Sequence, residues 1–186
     1  MRRIWEVSRR RFIGMLGLAG ASGVTGPLGS MAAAPPDEGL APGMKVLTAR
    51  QAATLEAIAE QIIPADSDPG ARQTGAVNYI DAVLAGYQSE KAPLYAAGLQ
   101  GTDETSQLLF GHNFVDLEFD QQTAVLKAME EGSAPGETWK AFSSQEFFAA
   151  VWNHILEDFY GPSKQGGANK FASWKMVGFP EHSGTM

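Results

Sequence analysis

At 186 residues, with 44% hydrophobic and 19% charged residues, the chain is long enough for one domain with a substantial core and too apolar for a disordered one. It has no cysteine, which excludes disulfides, thiolate metal sites, a cysteine nucleophile and a C-x-x-C-H haem attachment. Its charge of −7 is uneven: five of fourteen Lys and Arg but one of twenty-one Asp and Glu precede Ala33, leaving nine basic and twenty acidic residues, net −11, in a body ill suited to nucleic acid or anionic lipid.

The basic N-terminus is a separate object. Ser8-Arg9-Arg10-Arg11-Phe12-Ile13 resembles the twin-arginine export consensus, in which two arginines precede a variable residue and a Phe. The run behind it holds Gly14, Gly17, Gly20, Gly23, Gly26, Pro27 and Gly29. Each interior Gly costs a helix roughly 1 kcal/mol against Ala, and Pro27 cuts the run short of the ~20 apolar residues a membrane span needs. A basic region, a mildly apolar region and small residues are the plan of a removable signal. Residues 1–32 are therefore read as a twin-arginine signal, with Arg9, Arg10 and Phe12 as its address and cleavage after Ala32. An uncleaved anchor and a chance basic N-terminus are the alternatives. The expected location is the periplasm.

Residues 33–46 are rich in Pro and Gly and read as a linker, and 47–186 as a helical domain. Thr48 and Gln51 form a capping box, and Ala52, Leu55, Ile58, Ala59, Ile62 and Ile63 follow at helical spacing until Pro64. Residues 65–71 read as a turn-rich loop. A second helix is expected over 75–85, with Val77, Ile80 and Leu84 on its apolar side, Tyr79 at its edge and Gly86 at its end. Residues 89–110 read as a less regular helical stretch, in which Gly98 and Gly101 work against continuity. Phe119 to Glu131 reads as a clear helix with Val125, Leu126 and Met129 in the core and Gly132 as its stop. The last helix opens on a second capping box, Ser143 with Glu146. It carries Phe147, Phe148, Val151, Trp152, Ile155, Leu156 and Phe159 on a broad apolar face before Gly161-Pro162. No run alternates long enough for a sheet, so the fold is expected to be all-α, about five helices with a Gly/aromatic C-terminal tail. That tail carries Phe171, Trp174, Met176, Val177 and Phe179 among glycines, which suits folding back or meeting another protein.

Motifs for chemistry are few. No G-x-G-x-x-G follows a strand, no Walker loop is present, and no G-x-S-x-G nucleophile elbow occurs. His112, His154 and His182 are scattered; only His154 and Glu157 share a helical face, as a polar pair at the helix edge or a contact to a partner. Asp66 and Asp68 begin like a calcium loop, but Pro69 interrupts it, and an Asx turn is the better reading. No catalytic, cofactor-binding or metal-ligating set is assigned, and the chain reads as a non-catalytic partner.

Three blocks carry a family resemblance: Leu47 to Leu84, with "IIPAD", "DPGA" and "NYIDAVL"; Phe114 to Gly132; and a closing pattern. The last stands here as His154, Glu157, Phe159, Gly166, Gly167, Asn169, Trp174, Lys175, Gly178, Phe179 and Pro180. Together they resemble subunit 3 of gluconate 2-dehydrogenase, the small subunit of membrane-associated FAD dehydrogenases of the GMC type. Ile155, Asp158, Ala168, Ser173 and Glu181 depart from the family's usual residues. The resemblance implies a partner large subunit that holds FAD and oxidises a sugar or sugar acid, commonly with a c-type cytochrome receiving the electrons. It implies no cofactor in this chain, and membrane contact only through the complex or an uncleaved signal. His154, Glu157, Gly166, Gly167, Asn169, Trp174, Phe179 and Pro180 are the residues it marks for partner contact. A self-sufficient periplasmic binding module and a small independent enzyme are the other classes left open.

Overall fold

The structure is a computed structural model that describes residues 39–161. Among these residues it is all-α, with one isolated bridge between Leu40 and Thr48. Six α-helices follow in order: α1 Ala49–Ile62, α2 Ala71–Thr74, α3 Ala76–Leu84, α4 Ala92–Phe110, α5 Phe119–Glu131 and α6 Ser144–Tyr160. Short 3-10 turns at Ser89–Lys91, Phe114–Asp116 and Thr138–Lys140 join them. No described helix is long and apolar enough to cross a membrane.

The local signals set most of the helix ends. Thr48 accepts the Gln51 N–H at 3.3 Å, and Gln51 Oε1 accepts the Thr48 N–H at 3.0 Å, so both halves of the first capping box form. At α6 only half does: Ser143 Oγ accepts the Glu146 N–H at 3.2 Å, with no return bond from Glu146. The next residue compensates, because buried Ser144 donates to the Met129 carbonyl at 3.2 Å and pins the start of α6 to α5. Gly132 stops α5 in the left-handed region, φ 72°, as its position suggests. Gly86 does not play that part for α3, which leaves through Ala85 in ordinary helical geometry. A short turn of helix, α2, lies just before the expected second helix, and Gly75 at φ 87° makes the break between α2 and α3.

The glycines of 89–110 do not break it: α4 is one helix of 19 residues through Gly98 and Gly101. The glycines are there for what lies outside the helix. A Cβ at Gly98 would run into the Phe147 ring, and one at Gly101 would come within 2.6 Å of Trp139 Cζ2. Missing side chains thus let two aromatic rings reach the α4 backbone, which is a packing reason that outweighs helix propensity.

α1 and α6 each touch all the other helices, so the core lies between them. Leu55, Ile58 and Ala59 of α1, Ile80 and Leu84 of α3, Val125, Leu126 and Met129 of α5, and Phe147, Val151, Ile155 and Phe159 of α6 are buried. Each such large side chain contributes about 1.5–3 kcal/mol relative to exposure. The end of the segment read as linker is part of this body. The Ala41 N–H donates to the Leu47 carbonyl at 2.9 Å, and the buried Asp81 carboxylate accepts the N–H groups of Lys45, Val46 and Leu47 at 2.8, 2.9 and 3.0 Å.

Candidate functional site

The second half of α6 brings His154 and Glu157 to a shallow groove of about 500 Å³, shared with Gln88, Lys91, Asn153 and Tyr160. Helical spacing puts His154 in line with Phe147, Val151 and Asp158, all buried, and leaves Glu157 exposed. The two do not form the edge pair expected from sequence, because each is engaged by a different helix. His154 is only 2% exposed. Its Nδ1 lies 2.6 Å from the Tyr95 hydroxyl of α4 and its Nε2 3.0 Å from Gln88 Oε1. Since the Gln88 oxygen only accepts, Nε2 carries the proton and Tyr95 donates to Nδ1. The tyrosine and histidine rings stack with centroids 5.8 Å apart, and Phe147 packs edge-on against Tyr95 at 5.7 Å.

Burial lowers the His154 pKa below its ordinary value, Glu157 opposing and Lys91 adding to the effect. The ring is therefore neutral at pH 7, a state the hydrogen-bond pattern accommodates. Burial first, then Glu157 and Tyr79, push the Tyr95 hydroxyl well above its ordinary value, so it remains a donor. Beside it, Tyr79 of α3 donates to Glu157 Oε2 at 3.1 Å and meets the Tyr87 hydroxyl at 3.2 Å. One residue past Glu157, buried Asp158 accepts from Thr74 of α2 at 2.9 Å, and burial raises its pKa to about 6 against the lowering effect of that bond.

Both ring nitrogens of His154 are committed. The imidazole would have to break two hydrogen bonds to bind a metal or take a substrate proton. No group of three or more metal-capable side chains clusters among the described residues. In the loop before α2 the Asp68 N–H donates to Asp66 Oδ1 at 2.8 Å, the Asx turn expected there. The groove sets a charged rim of Lys91 and Glu157 over a neutral, braced floor.

Sequence reasoning missed the residues that do the bracing. Tyr95 and Gln88 hold His154, Tyr79 holds Glu157, Thr74 holds Asp158, and none lies within 50 residues of its partner along the chain. One signal was present: a histidine spaced between Val151 and Asp158 on an apolar face is placed for burial. A second polar network joins α1 to α4. Arg50 Nε pairs with buried Asp103 at 3.0 Å, and Asp103 also accepts the Phe114 N–H at 3.0 Å. The remaining residues marked for partner contact, Gly166, Gly167, Asn169, Trp174, Phe179 and Pro180, lie outside the described residues, as do Arg9, Arg10 and Phe12 of the export signal.

A family model described as gluconate 2-dehydrogenase subunit 3 matches residues 49–180, well over half the chain and all six helices. No curated protein and no solved structure matches the chain.

Proposed function

The chain belongs to the gluconate 2-dehydrogenase subunit 3 family, and from that premise we propose that it is the accessory, non-catalytic subunit of a periplasmic FAD-dependent sugar or sugar-acid dehydrogenase. It stabilises the flavoprotein large subunit and carries it through twin-arginine export. The observation that supports this reading above the others is the family match itself, which runs from the first residue of α1 past the end of α6. The groove fits the same reading: its histidine is neutral, buried and doubly hydrogen-bonded, a brace for a surface that is recognised rather than a centre that turns over.

The test is expression of the affinity-tagged chain with the dehydrogenase large subunit, followed by purification from the periplasm. The expected outcome is co-purification of a yellow flavoprotein with dehydrogenase activity, whereas the tagged chain alone is colourless, helical by circular dichroism and inactive. Flavin absorbance or turnover in the chain alone overturns the accessory role. A tagged chain that never retains the flavoprotein overturns the partnership.

A further inference from the structure

We infer that the corner between α4 and α5 is a docking surface, and that its occupant is an apolar patch rimmed by Lys and Arg on the dehydrogenase's flavoprotein subunit. This deepens the proposed function and rests on it.

The buried face of α4 outruns its cover and ends in apolar side chains. Positions 101, 105 and 108 form one lane of the helix, and 102, 106 and 109 the next. Gly101, Thr102, Thr105 and Ser106 are all buried, yet one turn later Leu108 is 62% and Leu109 45% exposed. The chain then turns through Phe114–Asp116 and starts α5, leaving Val115 at 43% and Phe119 at 52% exposed. Half of the eight large exposed apolar side chains among the described residues thus fall within twelve consecutive positions.

This corner is built rather than frayed. Asp103 of α4 accepts the Phe114 N–H at 3.0 Å, and Gln122 of α5 donates to the Phe114 carbonyl at 2.8 Å. Gln61 of α1 donates to the Phe119 carbonyl at 3.2 Å. The exposed apolar groups therefore sit on a fixed frame, which lowers the ordering cost of binding.

Charge selects the occupant. From Ala92 to Leu126 the chain contains no lysine and no arginine. The exposed Asp116, Glu118 and Asp120 flank Val115 and Phe119 along the chain and form no ion pair among the described residues. Two copies meeting at this corner would oppose acidic rims, a juxtaposition that interfaces avoid. A basic-rimmed partner gains from the same charges, and membership in a family of dehydrogenase subunits supplies a partner chain.

The experiment compares the full chain with two variants, each co-expressed with the flavoprotein large subunit. Leu108→Glu with Phe119→Glu puts charge into the apolar centre; Asp116→Lys, Glu118→Lys and Asp120→Lys together reverse the rim. All five positions are exposed, and the first variant leaves the α5 cap in place, so its helix content and melting temperature should match the wild type. Glu118 caps α5 and Asp120 lies in its first turn, so the rim variant is expected to melt somewhat lower, and its binding is read at a temperature where circular dichroism shows it folded. The first variant is expected to bind the flavoprotein about tenfold or more weaker, as loss of central apolar anchors does. The second should associate more slowly and lose the salt dependence of the association rate that the wild type shows. Leu40→Glu, at another exposed leucine, is the control and should bind normally. Wild-type retention of the flavoprotein by both variants overturns the docking surface and leaves the proposed function standing. Failure of the wild type to retain the flavoprotein overturns both. A lower melting temperature of the first variant before any partner is added means this chain's own residues 162–186 cover the corner, and a dimer of the wild type that the variant dissolves means a second copy does; either result overturns the inference.

Discussion

Burial disfavours the charged form of His154, so the fold resists protonation, and the resistance has a pH signature. Above pH 6.5 the ring is neutral folded and unfolded, and it adds no pH dependence. As pH falls below 6.5 the unfolded chain binds a proton that the folded chain does not, so stability drops. Asp158 acts in the opposite direction. Its pKa rises from 3.8 to about 6 on folding, so the folded state holds a proton that the unfolded chain has released. The stability it contributes is full below 3.8 and is lost as pH rises through about 6. The two residues lie one helical turn apart on α6 and offset each other between pH 4 and 6.5. Melting temperatures across that window should separate them. His154→Gln removes the acid penalty, so the variant gains on the wild type as pH falls. Asp158→Asn removes the counterweight, so the variant's melting temperature drops more steeply with acid than the wild type's. Parallel profiles for all three proteins would show that neither side chain titrates with folding.

Along an isolated helix, replacing Gly by Ala stabilises by about 1 kcal/mol. For α4 the opposite sign is expected. A Cβ at Gly98 meets the Phe147 ring, which is itself fully buried and cannot move aside. Gly98→Ala should destabilise by about 1–3 kcal/mol, the range for overpacked cores. Urea unfolding reads the change, and the double variant Gly98→Ala, Phe147→Leu should recover part of it; a stabilised Gly98→Ala would show that the ring is not seated there. The same pair explains what the sequence could and could not disclose. The ends of α1, α5 and α6 are legible because a cap or a stop acts within three or four residues, as Thr48, Gly132 and Ser143 do. The continuity of α4 is not, because the reason for its glycines stands 49 residues downstream, at Phe147, and 38 downstream, at Trp139. The candidate site divides in the same way. His154 and Glu157 were found by their spacing on one helix, but Tyr95, Gln88 and Tyr79 come from elements whose placement only the packed fold defines. The hold of Asp81 on Lys45, Val46 and Leu47 is hidden from the sequence for a like reason, since it reaches them from α3.

At the scale of the whole molecule, charge is divided between a basic N-terminus and an acidic body. The acidic body suits a basic-rimmed partner, and the paired arginines near the N-terminus suit an address. If the address serves the complex, changing Arg9 and Arg10 together to Lys should strand both chains in the cytoplasm. Lys preserves the charge but lacks the planar guanidinium fork. Dehydrogenase activity in periplasmic and cytoplasmic fractions measures this, and full periplasmic activity from the double-Lys strain would separate export of the flavoprotein from this chain. The Asp81 carboxylate acts as an anchorage for the segment that leads into α1. Three N–H groups at Lys45, Val46 and Leu47 tether the incoming strand to α3, with Leu47 itself 1% exposed beneath them. A pull on the chain ahead of residue 45 would meet these three hydrogen bonds before it reached the Thr48 cap, so the first turn of α1 is shielded from strain that arrives along the backbone.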